Sequence, residues 1–264
     1  MQDKLNVYYI PLREKIVNIV NQGTNGRYSF YFEDLTTGAW VGINEKEKYF
    51  PASVNKISTA SAVLKKIQDT ELKLNDEVLI LDEDYNSNFG TELVVGRRYT
   101  IKELLDHLIK KSDNTANNAL KRIVSLNRLI ETSMSMGLDF STYFKSSDSD
   151  QEISLSSAKS FGNVFRSLYF STYLTRAHSQ YLLQIMTDTE YNTGIPAGVP
   201  SDVIVAHKIG ISESNNNANH DCGIVFAEIP YIICIFSDQS SYEEANMLIS
   251  QISKVVYDYV HNEI

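Results

Sequence analysis

The sequence predicts a mixed α/β fold of the α+β type, in which an antiparallel sheet built from both chain ends is flanked by helices and an all-helical lobe is inserted between them. Three observations carry this. Aromatic and β-branched runs lie before residue 50 and after residue 200, the stretch between them repeats its apolar residues every three or four positions, and an amphipathic segment stands near each end. The end strands must pair, and one shared sheet is the economical solution. The expected organisation is a single domain over 1–264, with an α/β lobe from 1–50 and 195–264 and a helical lobe from 51–194.

Taken in order, residues 12–20 place Ile16, Val17, Ile19 and Val20 at helical spacing. After the turn Gly23-Thr24-Asn25-Gly26, the runs 28–32 and 39–43 flank Asp34-Leu35-Thr36-Thr37-Gly38 and read as a hairpin. From 53 to 67, Val54, Ile57, Ala60, Leu64 and Ile67 form one stripe, with Lys65 and Lys66 on the wet side, so a helix begins at or near Ser53. Thr100-Ile101-Lys102-Glu103 is a capping box opening a helix through Leu104, Leu105, Leu108 and Ile109, which Lys110-Lys111 closes with charge suited to its C-terminus. A third pattern, Ala116, Ala119, Leu120, Ile123 and Val124, resumes at once and leaves Ser112, Asp113 and Asn114 in the break. Further helices are expected over 158–168 and 177–186, strands over 203–208, 223–227 and 231–236, and a last helix over 242–260.

Composition narrows the function classes. With 43% hydrophobic and 11% aromatic residues, 264 residues suffice for a buried core. A net charge of −9 leaves no broad basic surface for a phosphate backbone, so no nucleic-acid partner is expected. No run is long enough to span a membrane, and Met1-Gln2-Asp3-Lys4 leads into no apolar signal segment, so a soluble chain is expected with its compartment open. Asp82-x-Asp84-x-Asn86 starts like a calcium loop, but Ser87 stands where Gly is needed and Leu93 at position twelve, so a polar loop is expected. His207, His220 and Cys222 lack metal-ligand spacing, and no metal or cofactor is expected. Cys222 and Cys234 fall on strands of one hairpin, close enough to meet, although two buried free thiols are the simpler expectation.

Ser53-Val54-Asn55-Lys56 places a hydroxyl and an amine three residues apart at a helix start, where i and i+3 share a face. Serine needs a neighbour to take its proton, and a Lys near other cations and partly desolvated can serve. Alone the pattern is weak: 28 Ser and 16 Lys predict roughly two Ser-x-x-Lys matches by composition. A second copy exists at Ser156-Ser157-Ala158-Lys159, where Ser154 or Ser156 is expected as a helix cap. Ser53 stands out because Ser112-Asp113-Asn114 follows between helices and Lys208-Ile209-Gly210 follows in a strand.

Together these three motifs, in this order, resemble the Ser-x-x-Lys, Ser-Asp-Asn and Lys-Thr-Gly set of class A β-lactamases and penicillin-binding proteins. Phe50-Pro51-Ala52, Thr115-Ala116 and His220-Asp221-Cys222-Gly223 extend the resemblance over nearly the whole chain. It implies a β-lactamase/transpeptidase-like fold with the site between the two lobes. It also implies roles: Ser53 as nucleophile toward a β-lactam or D-alanyl peptide carbonyl, Lys56 accepting or relaying its proton, and Ser112 passing a proton to the leaving nitrogen. Asn114 would hold the substrate's side-chain amide, and Lys208 would supply positive potential near Ser112. The backbone N–H groups of Ser53 and Ile211 would form an oxyanion hole, with Gly210 beside them in the substrate-binding strand and Tyr85 as a cleft-wall aromatic. The partners implied are a β-lactam or a peptidoglycan stem peptide, the location the outside or surface of a bacterium, and the state a monomer.

The chain departs from the pattern in three places. The Glu-x-x-Leu-Asn segment, whose Glu activates the deacylating water in class A enzymes, is missing from a shortened stretch at 137–157, where Asp148, Asp150 and Glu152 are the available carboxylates. Ile209 replaces the usual Thr or Ser, removing a hydroxyl and narrowing the cleft. Cys222 lies near where many class A enzymes carry a carboxylate-binding Arg, and no Arg follows Arg176. Slow deacylation, penicillin-binding D-alanyl peptidase activity, or a catalytically silent binding role are the alternatives these departures leave open.

Overall fold

A computed structural model describes residues 8–23, 26–90, 92–138, 143–145 and 152–262. Helix α1 (Ile10–Gly23) leads into the hairpin β1 (Arg27–Asp34) and β2 (Trp40–Ile43). A 3-10 turn, Ala52–Asn55, runs directly into α2 (Lys56–Asp69). The short pair β3 (Glu77–Leu79) and β4 (Arg98–Thr100) precedes α3 (Ile101–Lys110), α4 (Asn114–Ile123) and α5 (Leu126–Ser135). A second short pair, β5 (Tyr143–Lys145) and β6 (Glu152–Ser154), is followed by α6 (Ala158–Tyr169) and α7 (Arg176–Thr187). The chain closes with β7 (Ile204–Ser212), β8 (Ala218–Phe226), β9 (Tyr231–Asp238) and α8 (Tyr242–Asn262).

The main sheet has the order β2-β1-β9-β8-β7, antiparallel throughout, and thus joins both chain ends as expected. Its strands alternate in side-chain direction, and both faces are covered. On one face Phe30, Phe32, Ile233, Ile235 and Val225 pack with Leu12 of α1 and Ile249, Ile252 and Val256 of α8. On the other, Tyr31, Ile232, Phe236 and Ile224 join Phe161 and Phe165 of α6 and the core beneath α2, α3 and α4. Two-sided burial explains why residues 231–236 of β9 read as an unbroken apolar run.

Several expectations change in detail. The Thr100 capping box is present, with Thr100 Oγ1 accepting from the Glu103 N–H at 3.1 Å and Glu103 Oε2 accepting from the Thr100 N–H at 2.7 Å. The helix expected at Ser53 becomes regular only from Lys56, Ser53 itself lying in the 3-10 turn. At the second Ser-x-x-Lys copy the cap is Ser157, which accepts from the Ser160 N–H at 3.2 Å, because Ser156 is drawn into an antiparallel bridge with Tyr49. Helix α5 was not legible from its apolar spacing; Ser125 caps it by accepting from the Arg128 N–H at 3.2 Å. Cys222 and Cys234, expected as free thiols, stand directly opposite each other on β8 and β9 with Cα atoms 4.0 Å apart and form a disulfide. The 82–86 stretch is a polar loop whose Asp84 is buried against Arg122, with Nε to Oδ1 at 3.1 Å and the second guanidinium nitrogen to Oδ2 at 2.8 Å.

Candidate active site

The turn carrying Ser53 is held from three sides. Ala52 has φ +46°, a left-handed conformation that costs a non-glycine residue about 1–3 kcal/mol and persists only where surrounding contacts impose it. His220 on β8 donates from Nε2 to the Phe50 carbonyl at 2.8 Å, while its Nδ1 accepts from the Ser237 N–H at 3.1 Å. Burial lowers its pKa to about 4, so the ring is neutral, and it stacks on Phe236 at 4.2 Å between centroids. Gly210 on β7 backs the turn: a Cβ there would lie 2.7 Å from the Pro51 carbonyl oxygen and 2.8 Å from Val54 Cγ2. Gly210 therefore lets the strand close onto the turn and does not face the cleft.

Lys56, Ser112, Asn114 and Lys208 come together from α2, the α3–α4 break and β7. Lys56 Nζ donates to Asn114 Oδ1 at 2.6 Å, to Ser112 Oγ at 3.2 Å and to the Ser112 carbonyl. Lys208 Nζ donates to the same Ser112 Oγ at 2.9 Å and to the Ile209 carbonyl at 3.2 Å. Ser112 sits at φ +55°, which turns its hydroxyl and its carbonyl toward the ammonium groups. Asp113 caps α4, its Oδ1 accepting from the Ala116 N–H at 3.0 Å.

Two amines this close and this dry cannot both keep ordinary basicity. Desolvation pushes Lys56 down to about 7; Asp113 opposes the shift and Lys121 adds to it. Lys208 is lowered well below its usual value, first by burial and then by Lys56, with Asp221 opposing. Asp221 is itself engaged, accepting from the Ile195 N–H at 2.8 Å and lying 2.7 Å from His207 Nδ1. His207 and His220 are thus core side chains with protein partners.

Ser53, Lys56, Asn114 and Ile211 line a cleft of about 830 Å³. The Ser53 hydroxyl makes no hydrogen bond among the described residues, Lys56 being engaged by Ser112 and Asn114. Ser112 and Lys208 lie behind the cleft wall, Lys208 at 0% exposure. Ile209 is buried too and is not among the lining residues, so the narrowing expected from it is not found there. Tyr85, expected as the wall aromatic, is 49% exposed outside the lining; Asn88 and Phe89 form that wall. The reason is local: the Asn86 N–H donates to Thr115 Oγ1 at 3.0 Å and the Phe89 carbonyl accepts from the Asn114 N–H at 3.3 Å, which draws 86–89 across the start of α4. Of the carboxylates considered for deacylation, Asp148 and Asp150 lie outside the described residues, and Glu152 is described only as the first residue of β6. Among the described lining residues the carboxylate is Glu213, on the turn between β7 and β8. Sequence reading named His220 without its supporting role at the turn and missed Phe89, Asn117 and Lys121; Asn117 and Lys121 carried a signal, lying three and seven residues beyond Asn114 on one helix face.

This geometry can be set beside known proteins. Beta-lactamase VEB-1 of Pseudomonas aeruginosa is 23% identical over 276 aligned positions, covering 94% of this chain and 90% of its own length. The solved structure of PBP-A superposes with a TM-score of 0.85 at 21% identity, covering 95% of this chain and 96% of that one. A variant of PBP-A, solved as an acyl-enzyme complex with penicillin G, superposes with a TM-score of 0.84 at 21% identity, covering the same shares. The profile of the Beta-lactamase enzyme family matches residues 11–260, nearly the whole chain, and the protein belongs to that family.

Proposed function

We propose that this protein is a serine hydrolase working through a Ser53 acyl-enzyme on β-lactam or D-alanyl peptide carbonyls, with slow deacylation. The observation that carries the reading is the convergence of Lys56 and Lys208 on Ser112 Oγ, at 3.2 and 2.9 Å, behind the cleft that Ser53 lines. Ser53 Oγ bonds to the substrate carbonyl carbon and gives its proton to the neutral Lys56 amine. As the carbon–nitrogen bond breaks, the leaving nitrogen takes the Ser112 hydroxyl proton, which the Lys56 ammonium replaces. Lys208 supplies positive potential at Ser112, Asn114 holds the substrate's amide, and the backbone N–H groups of Ser53 and Ile211 receive the developing oxyanion. Gly210 lets this strand close onto the turn that carries Ser53. No cofactor enters the scheme, and the protein acts as a monomer outside the cytoplasmic membrane of a bacterium.

Release of the acyl group needs a base beside the attacking water. The Glu-x-x-Leu-Asn segment that carries such a base in class A enzymes is missing from 137–157, so the acyl-enzyme persists in this reading, which also favours a penicillin-binding D-alanyl peptidase as second reading. Intact-mass measurement after exposure to a penicillin should show one adduct, lost in Ser53→Ala; no adduct at saturating drug overturns the proposal. A chromogenic cephalosporin should give a burst followed by slow turnover. Fast linear turnover would mark an efficient β-lactamase, release of D-alanine from a peptide would mark the peptidase, and binding that survives Ser53→Ala without any turnover would mark a silent binding protein.

A further inference from the structure

Helix α4 presents Asn114, Asn117 and Lys121 to the cleft. At 1.5 Å rise per residue, Lys121 stands roughly 10 Å beyond Asn114 along the wall. Beside it, Leu126 and Leu129 of α5 line the same end of the cleft, Leu126 with 58% exposure. The polar floor here is already satisfied, because Thr59 Oγ1 donates to Asn117 Oδ1 at 3.0 Å. Lys121 is not: among the described residues its ammonium has neither hydrogen-bond nor ion-pair partner. Lys121 is an exposed residue on the cleft wall, and the surrounding protein lowers its pKa. Lys56, the other basic residue lining the cleft, offers it no counter-charge, and Glu213 lies on the turn between β7 and β8. An exposed cation without a protein partner, lining the cleft together with two leucines, is complementary to an apolar arm that ends in an anion.

We propose that Lys121 is a specificity-determining residue that anchors the terminal carboxylate of the substrate's acyl arm, with Leu126 and Leu129 taking the arm's apolar length. This rests on the acyl-enzyme reading above: the arm is the part of the substrate that stays on Ser53. The substrate class favoured is therefore an acyl donor whose arm is several carbons long and acidic at its end.

The test compares a penicillin bearing an adipoyl arm with its arm methyl ester, reading the second-order rate of Ser53 acylation by intact mass. The ratio of the two rates within each variant cancels any general effect of Lys121 on Lys56. Wild type is expected to favour the free acid by about tenfold, the size of one charge-assisted contact. Lys121→Arg should keep the preference, Lys121→Met should bring the ratio to about one, and Lys121→Glu should invert it, from the loss and reversal of that contact. An unchanged ratio in all variants overturns the proposal. If neither compound acylates wild type, the acyl-enzyme reading fails. The anchor is then read alone by nuclear magnetic resonance titration of Ser53→Ala with the same pair, in which equal dissociation constants for acid and ester overturn it.

Discussion

Lys208 Nζ lies 2.9 Å from Ser112 Oγ in a fully buried pocket behind the cleft. An ammonium so placed is expensive to desolvate, and an apolar side chain of similar length removes that cost. Lys208→Met should therefore leave the denaturation midpoint unchanged or raise it, while acylation of Ser53 falls by about 10²-fold or more through the lost field at Ser112. Urea unfolding and acylation rates measured on the same preparation check this. A lower midpoint with intact acylation would make Lys208 a structural residue only.

The pH dependence follows from Lys56. Its amine accepts a proton only when neutral, and its pKa lies at about 7, so acylation should fall as pH drops through that value. Stability has a matching sign. The folded group titrates below its unfolded counterpart, so between pH 7 and roughly 10.4 the unfolded chain binds more protons. Unfolding free energy should rise with pH across that window from this group, the penalty of the buried charge being fully present below it. Single-turnover acylation and denaturation from pH 6 to 9 test both, and a flat acylation profile would remove Lys56 as the base.

Much of this site could be read before any coordinates. Ser53, Lys56, Ser112, Asn114 and Lys208 announce themselves by motif, and the Thr100–Glu103 box by local hydrogen-bonding chemistry. Two kinds of feature could not be read so. Three-residue strands such as β3 and β4 are too short to show a period, and α5 mixes Thr and Ser into its buried face at Thr132 and Ser133. The other kind depends on which segments meet. Phe89 replaces Tyr85 at the cleft because of bonds to Asn114 and Thr115, and His220 supports the Ser53 turn across 170 residues of chain. Pairing of Cys222 with Cys234 likewise depends on the β8–β9 register.

Gly90 has φ +69°, and a Cβ there would fall 2.6 Å from Asp113 Cβ. Gly90→Ala combines a strained backbone with a steric clash and should destabilise by about 1–3 kcal/mol. By pushing on Asp113 it should also misplace Ser112 and slow acylation. Paired unfolding and acylation assays would show both effects, and an unperturbed variant would mean that 86–90 rests only loosely on α4.

The Cys222–Cys234 bond closes a short loop between strands already paired. Loop closure of this size contributes about 3 kcal/mol on a chain-entropy estimate. Cys222→Ala with Cys234→Ala should lower the melting temperature, while leaving the fold and the acylated residue unchanged. Calorimetry with and without reductant gives the comparison, and equal melting temperatures would show that the bond adds nothing to folding.

The absence of a side chain at position 210 bears on how a ligand gets in. With β7 seated directly on the Pro51 carbonyl and Val54, the seam between sheet and nucleophile turn has no slack, so the two halves of the molecule cannot gape there like a clamshell. Any widening of the cleft is left to the opposite rim, where 86–89 is held by hydrogen bonds to Asn114 and Thr115, so the attacking oxygen keeps its place.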